Sequence, residues 1–186
     1  MTPDEAVVAV FAALDAAAIP YMIVGSLASN FHGIPRSTRD ADFVVTLSPG
    51  SLQRLDVHLA EGLVLERQGA FEAVTGTVRH LIALTGSPFV CELFELSNDP
   101  HDQARFARRV PARLLTCDSF VASAEDMIIT KLRWAQGANR SKDRDDIRNI
   151  LAVQGPALDW AYVDRWSATH GTAGLLAEIR ASIPPD

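Results

Sequence analysis

The chain has 186 residues, 48% of them hydrophobic, and a formal net charge of −6 at pH 7. This length and composition fit one hydrophobic core. No segment approaches the ~20 consecutive apolar residues of a membrane span, and the N-terminus lacks the basic segment of a secretory signal. We therefore expect a cytoplasmic protein without membrane contact.

The net charge and the cysteine spacing bear on nucleic-acid binding, disulfides and zinc sites. A net negative chain is not expected to coat nucleic acid, and its one basic segment, "RFARRVPAR", is either a solvated helical face or a polyanion contact. Cys91 and Cys117 lack C-x-x-C spacing. They are therefore interpreted as free thiols, not as a disulfide or a zinc site.

The first part of the chain alternates helical and strand patterns. Apolar residues at helical spacing predict a helix over 3–17, and "YMIV" reads as a short buried strand. A short helix is predicted from Ser26 to His32, because glycine and a hydroxyl residue favour a helix N-terminus. "ADFVVTL" predicts the second strand, and a helix should follow from Ser48 to about Ala60.

The middle of the chain is rich in strand patterns, separated by glycine-containing breaks. The predicted strands are "LVLER", "FEAVTG", "HLIAL" and "FVCELFEL". After Pro111, the segment "RLLTCD" carries no predicted strand.

The C-terminal part reads as helices. "SAEDMIITKLRWA" predicts a helix with Ser123 and Asp126 as a capping box, and "SKDRDDIRNILAV" predicts the next one. Two more helices are expected over about 159–169 and 172–182.

These elements predict a mixed α/β (α+β) protein, with a mixed β-sheet packed against helices. We expect a core over residues 1–120 and a helical region over 121–186, packed together as one compact unit.

Two aspartates on the second predicted strand point to chemistry. Side chains two residues apart on a strand share a face, so Asp40 and Asp42 bring two carboxylates to one place. They repel each other unless a cation neutralises both. Oxygen ligands without a histidine or cysteine cluster favour Mg²⁺ or Mn²⁺. The alternative is that both aspartates lie on a solvated strand face or in a turn.

The Gly25-Ser26 pair lies at a predicted strand-to-helix turn. Such a turn offers free backbone N–H groups and a hydroxyl, which are the parts of a phosphate cradle. A phosphate cradle beside a metal-binding aspartate pair indicates a site for a nucleoside triphosphate.

The order of Gly-Ser, a short helix and Asp-x-Asp on the next strand resembles the signature of the DNA polymerase β-type nucleotidyltransferase superfamily. The segments from "HLIAL" through "ARFARR", with "AEDMIITKLRWA" and "KDRDDIRNIL", are similar to a small bacterial branch related to AbiEii-type toxins. The resemblance covers roughly residues 20–155 and implies the nucleotidyltransferase fold.

The resemblance also implies roles for single residues. Gly25 and Ser26 would hold the β- and γ-phosphates, and Asp40 and Asp42 would bind Mg²⁺. The family takes a third carboxylate from a later strand, usually an aspartate, and the matching position here is Glu92. It would complete a second metal site and help to deprotonate the acceptor hydroxyl.

Strand alternation puts Glu95 on the opposite face from Glu92, so we expect Glu95 to face solvent or to cap the strand. None of the histidines shows metal-ligand spacing. His32 is interpreted as a packing or surface residue.

Basic side chains near these motifs have two interpretations. Arg36 and Arg39 are expected either to bind the triphosphate or to form salt bridges that shield the aspartates. Lys131 either contacts a nucleotide phosphate, as the resemblance implies, or extends to water. Asp143 and Asp146 are interpreted as structural residues that pair with Lys131 or with Arg133.

The leading hypothesis is a metal-dependent enzyme that transfers a nucleoside monophosphate from a triphosphate to a hydroxyl of a protein, an RNA or a small molecule. The alternative is a nucleotide-binding protein with weak or no catalysis, as part of a toxin–antitoxin pair with a cognate antitoxin. A two-metal phosphodiesterase or nuclease is a third possibility, but it has no need for the Gly-Ser cradle.

Overall fold

A computed structural model describes residues 1–66, 68–72, 76–138 and 141–183. The chain divides into two units. The first comprises Met1–Leu27 and Ser37–Val121, and the second comprises Ala28–Arg36 and Ala122–Asp186. The expected core over residues 1–120 and helical region over 121–186, packed as one compact unit, remain a prediction.

The first unit contains all the described strands and three complete helices. In chain order its elements are α1 (Pro3–Ala16), β1 (Tyr21–Val24), the start of α2 (Gly25–His32), β2 (Asp40–Val45), α3 (Ser51–His58), β3 (Leu63–Leu65), β4 (Ala70–Glu72), β5 (Thr77–Leu84), β6 (Val90–Glu95), α4 (Pro100–Ala107), β7 (Val110–Leu114) and β8 (Cys117–Val121).

These strands form one mixed sheet in the order β3-β5-β6-β2-β1-β8-β7, with β4 paired to β5. The pairs β2–β6 and β1–β8 are parallel, and the other pairs are antiparallel. The predicted mixed α/β fold is confirmed.

Strand β2 buries one face completely. Ala41 and Phe43 are 0% exposed, whereas the alternate residues Asp40 and Asp42 are partly exposed. On the buried face, the ring of Phe11 from α1 lies 5.9 Å from the rings of both Tyr21 and Phe43. The apolar side of β2 is therefore held by α1, and its acidic side is left for other contacts.

The second unit consists of helices. It holds the end of α2 followed by α5 (Ala124–Ala138), α6 (Ser141–Gln154), a 3₁₀ turn (Gly155–Ala157), α7 (Trp160–Thr169) and α8 (Ala173–Ala181). Helix α5 packs against α6 and α7, and α6 packs against α8.

The predicted capping box at α5 forms in part. Ser123 Oγ accepts a hydrogen bond from the backbone N–H of Asp126 at 3.2 Å. The Asp126 carboxylate accepts from the Ser123 hydroxyl and from the Tyr162 hydroxyl, each at 2.8 Å. The cap thus also joins α5 to α7.

Most predicted elements are found with shifted ends, but helix α4 and one pair of strands were not predicted. The segment after Pro111 belongs to the hairpin β7–β8, which was not predicted. The helix expected from Ser48 begins at Ser51, after Gly50 takes a left-handed φ of 81°. Arg67 of "LVLER" and residues 73–75 of "FEAVTG" lie outside the described residues.

Among the described helices, none has both the length and the apolar composition needed to cross a bilayer.

The packing of Gly33 in the second unit makes a stability prediction. A Cβ at Gly33 would lie 2.9 Å from both the carbonyl carbon of Asn149 and the backbone nitrogen of Ile150 in α6. We expect Gly33→Ala to lower the free energy of unfolding by about 1–3 kcal/mol, since backbone atoms cannot move aside cheaply. Urea denaturation measures this change.

Gly174 provides the matched control, because a Cβ there would meet nothing within 4 Å. In helix α8, Gly174→Ala should raise the stability by about 0.5–1 kcal/mol. A Gly33→Ala protein as stable as the wild type would contradict the described contact with α6.

Candidate functional site

Gly25 lies where β1 ends and α2 begins, with a left-handed φ of 61°. Glycine adopts this conformation without the steric cost that other residues incur. A Cβ at this position would also overlap Oδ2 of Asp42. Any larger side chain would collide with the carboxylate, so this turn and Asp42 lie in close contact.

The pairing of β1 with β2 explains that contact. The two strands are antiparallel, and Val24 is the register partner of Asp42. The turn that follows Val24 therefore begins beside Asp42. Ser26, the second residue of α2, is partly exposed at the same helix N-terminus. The structure thus places the predicted cradle residues next to one of the predicted aspartates.

Asp40 begins β2 and shares the partly exposed face with Asp42, as strand alternation requires. Thr38 supports Asp40, because its hydroxyl lies 2.8 Å from Asp40 Oδ1 and 2.9 Å from the Asp40 carbonyl oxygen. Sequence reasoning assigned no role to Thr38. A hydroxyl residue two positions before an aspartate, at the start of a strand, was the available signal.

Glu92 lies on the neighbouring parallel strand, β6, and its register partner is Asp42. Directly paired residues project from the same face, and adjacent strands lie about 4.8 Å apart. Asp40, Asp42 and Glu92 therefore share one sheet face in the first unit. The register thus brings together the three carboxylates that the sequence singled out.

Glu92 also has a basic partner that sequence reasoning missed. Nη1 of Arg79 on β5 donates to Oε1 of Glu92 at 3.1 Å. Their side chains are 29% and 19% exposed, so the pair is partly shielded from water. The available signal was an arginine directly before the predicted strand "HLIAL".

Glu95 projects from the opposite face of β6, as expected from alternation. Its Oε1 lies 2.8 Å from Nε2 of His80, whose side chain is 8% exposed. The carboxylate is therefore engaged by a histidine of β5, in addition to being partly open to solvent.

Arg36 and Lys131 belong to an ion cluster in the second unit. Arg36 binds Asp146 through two hydrogen bonds, Nε–Oδ1 at 2.7 Å and Nη2–Oδ2 at 2.9 Å. Nζ of Lys131 lies 3.0 Å from Asp143 Oδ1 and 2.8 Å from Asp146 Oδ2. The predicted pairing of Lys131 with these two aspartates is confirmed.

The cluster excludes one of the two interpretations of Lys131. Lys131 is 3% exposed, so its side chain does not extend to water. Arg36 forms a salt bridge with Asp146 that was not predicted. Burial alone would raise the pKa of Asp146, but the hydrogen bond from Arg36 and the charge of Lys131 outweigh it and lower this pKa.

The remaining predicted residues have simple environments. Arg39 is exposed. His32 is buried, with Nε2 2.7 Å from the carbonyl oxygen of Ala122. Burial lowers the pKa of His32 below its usual value, which agrees with its interpretation as a packing residue. Within the basic segment, Arg105 is 7% exposed and pairs with Asp102, so that segment is not wholly a solvated face.

The donor set on the sheet face fits a divalent cation. Three carboxylates on adjacent strands offer only oxygen ligands, which Mg²⁺ and Mn²⁺ prefer. Gly25 allows the N-terminus of α2 to lie close to Asp42. The N–H groups at a helix N-terminus attract anions. This arrangement can hold a cation and a phosphate side by side.

The lowered pKa of Asp146 makes a prediction about acid stability. A carboxylate with a lowered folded-state pKa stabilises the fold above its unfolded pKa of ~3.9, and this contribution is lost as the pH falls through the folded pKa. Asp146→Asn should remove this pH-dependent contribution. It should also lower the free energy of unfolding by about 1–3 kcal/mol near neutral pH, because Lys131 and Arg36 lose a charged partner while Lys131 keeps Asp143.

Asp145→Asn is the matched control. Asp145 pairs with Arg148 on the surface of the same helix, and its side chain is 60% exposed. This substitution should change the stability by less than about 0.5 kcal/mol. Urea denaturation at several pH values measures both effects, and equal stability of the two variants near neutral pH would contradict the buried cluster.

Comparison with known proteins identifies solved structures of similar fold. No protein-family model and no curated protein sequence matches the chain. Solved structures do match. The antibiotic-resistance factor ANT(2'')-Ia in solution superposes with a TM-score of 0.64 at 14% identity, over 96% of both chains.

Two further solved structures have a similar fold. A nucleotidyltransferase-like protein from Paracoccidioides brasiliensis gives a TM-score of 0.56 at 19% identity, covering 98% of this chain and 94% of its own. ANT(2'')-Ia in complex with adenylyl-2''-tobramycin gives 0.62 at 17% identity, covering 92% and 98%. At such identities the likeness concerns the fold, and this chain has the nucleotidyltransferase fold.

Proposed function

We propose that this protein transfers a nucleoside monophosphate from a nucleoside triphosphate to a hydroxyl group. The observation that carries the proposal is the alignment of Asp42 with Glu92 across β2 and β6, with the Gly25 turn directly against Asp42. The carboxylates attract a cation and the helix N-terminus attracts phosphate groups. Together they suit a cation bound to a triphosphate. The nucleotidyltransferase fold supports the same reaction.

Each part of the site has a role in this proposal. The N-terminus of α2, with Gly25 and Ser26, binds the β- and γ-phosphates, because the backbone N–H groups at a helix N-terminus attract anions. Asp40 and Asp42 bind the cation, and the hydroxyl of Thr38 fixes the orientation of Asp40. Arg39 is exposed and so is able to contact the triphosphate from solvent.

Mg²⁺ or Mn²⁺, held by Asp40, Asp42 and Glu92, would stabilise negative charge on the attacking and leaving oxygens of the displacement. In that displacement, a bond forms between the acceptor oxygen and the α-phosphorus, the bond to the β-phosphate oxygen breaks, and pyrophosphate leaves. Glu92 accepts the proton of the acceptor hydroxyl.

Two predicted nucleotide contacts lie in the ion cluster of the second unit. The side chain of Arg36 is 29% exposed while it binds Asp146, and we keep it as a proposed phosphate contact. The amino group of Lys131 is engaged by Asp143 and Asp146. Its contact with a nucleotide remains a prediction.

A protein, an RNA and a small molecule are all considered as acceptors. One structural neighbour, ANT(2'')-Ia, was solved with an adenylylated small molecule, adenylyl-2''-tobramycin. This observation favours testing small-molecule hydroxyls first.

The second candidate is a nucleotide-binding protein without turnover, as part of a toxin–antitoxin pair with a cognate antitoxin. The pair formed by Arg79 and Glu92 favours it, because the proposed general base is already engaged by a cation of the protein. This candidate predicts nucleotide binding without release of pyrophosphate.

Labelling with α-³²P nucleotides tests the proposal. Purified protein is incubated with each labelled triphosphate, Mg²⁺, and either a cell extract or a panel of hydroxyl-bearing small molecules. Wild type should transfer label, and Asp40→Asn and Asp42→Asn should each lower the rate by a factor of about 100 or more, since each removes a cation ligand.

Asp56→Asn is the matched control, because Asp56 is exposed on α3 of the same unit. It should label at the wild-type rate. Equal labelling by all four proteins would disprove the carboxylate mechanism. Nucleotide binding by wild type, without label transfer or pyrophosphate release, would support the second candidate instead.

A further inference from the structure

Arg79 projects from the same sheet face as the three carboxylates. Strands β5 and β6 are antiparallel, with Arg79 opposite Phe94 and Leu81 opposite Glu92. Phe94 and Glu92 are two residues apart on β6 and so share a face, and Arg79 shares it with them. The contact between Arg79 Nη1 and Glu92 Oε1 is therefore a diagonal one across two strands.

The length of the glutamate side chain permits this contact. Glutamate has one methylene more than aspartate, so its carboxylate reaches farther along the face toward β5. The pair is partly buried, with side chains 29% and 19% exposed. A charge-assisted hydrogen bond in such a place is stronger than one between fully exposed groups.

We propose that Arg79 is the counter-ion of Glu92 in the nucleotide-free protein and that it lowers the affinity of the site for a divalent cation. This inference rests on the proposed function, because it takes Glu92 as a cation ligand. Oε1 of Glu92 is occupied by the guanidinium, and the positive charge of Arg79 opposes a second cation nearby. Arg79 is a positioning residue that acts through Glu92.

The chemistry of the face explains why a counter-ion belongs there. Asp40, Asp42 and Glu92 crowd three negative charges onto two adjacent strands. Without a cation their repulsion disfavours the folded sheet, and Arg79 relieves part of it. Glu95, on the other face of β6, has a different partner in His80. The arginine thus contacts the glutamate that belongs to the candidate cation site.

Binding of Mn²⁺ to the nucleotide-free protein tests the inference without measuring activity. The signal of free Mn²⁺ in electron paramagnetic resonance gives the dissociation constant. Arg79→Gln should bind Mn²⁺ about five- to tenfold more tightly than wild type, which corresponds to about 1–1.4 kcal/mol. Arg79→Lys keeps the charge and should stay within about twofold of wild type.

Arg113→Gln is the matched control for net charge. Arg113 is an exposed residue of β7, opposite Asp118 in the same unit. Arg113→Gln removes one positive charge, as Arg79→Gln does, but on a strand that is not adjacent to the carboxylates. It should leave the Mn²⁺ affinity unchanged. The double variant Arg79→Gln/Glu92→Gln should gain less over Glu92→Gln than Arg79→Gln gains over wild type, because without Glu92 only the direct repulsion between Arg79 and the cation remains.

The outcomes separate this inference from the proposed function. Equal or weaker Mn²⁺ binding by Arg79→Gln overturns the counter-ion role, and so does the same gain in Arg113→Gln. If neither wild type nor Arg79→Gln binds Mn²⁺, the inference is also wrong. Nucleotidyl transfer then stands if label transfer still depends on Asp40 and Asp42, and it fails together with the inference if no label is transferred.

Discussion

The register of β2 between β1 and β6 is the constraint on which the candidate site depends. Val24, Asp42 and Glu92 align in one row across the three strands. This row places the Gly25 turn against one carboxylate and a second carboxylate on the adjacent strand. A slip of one residue would turn Asp40 and Asp42 toward the buried side and expose Phe43. The aromatic packing of α1 against that side opposes such a slip, so the apolar core fixes the position of the acidic face.

Paired charges recur in both units, but their surroundings differ. In the first unit, Arg79 and Glu92 are partly open to water, and a new cation or anion is able to compete for them. In the second unit, the side chains of Lys131 and Asp146 are 4% and 2% exposed, and their pairing is enclosed. Removing one partner of an enclosed pair leaves a buried charge, whereas an accessible pair is able to exchange partners. The first arrangement suits a site that must change on binding, and the second suits a fixed scaffold.

The local patterns that the sequence did predict are those with a short-range cause. Alternation on β2 and β6 separated Asp40 and Asp42 from Phe43, and Glu92 from Glu95, because side-chain direction on a strand follows from backbone geometry. Helical periodicity located most helices within a few residues. The hairpin β7–β8 was missed, since its strands are short, β7 contains Pro111, and β8 joins the sheet by pairing with β1, which lies far away in the chain. The contact of Arg79 with Glu92 depends on a strand register that no local pattern specifies.

The sequence alone singled out the residues of the candidate site: a glycine and a serine at a strand-to-helix turn, two aspartates on one strand face, and a later glutamate. The turn and the aspartates follow from residue type, spacing and backbone periodicity, which are local properties, whereas the glutamate was chosen from the resemblance to the nucleotidyltransferase superfamily. Only the tertiary structure decided that Asp42 and Glu92 pair across parallel strands, that Arg36 binds Asp146, and that Arg79 engages Glu92. Those contacts join residues distant in the chain. They are fixed by how the sheet and the helices bury their apolar faces, a property of the whole fold.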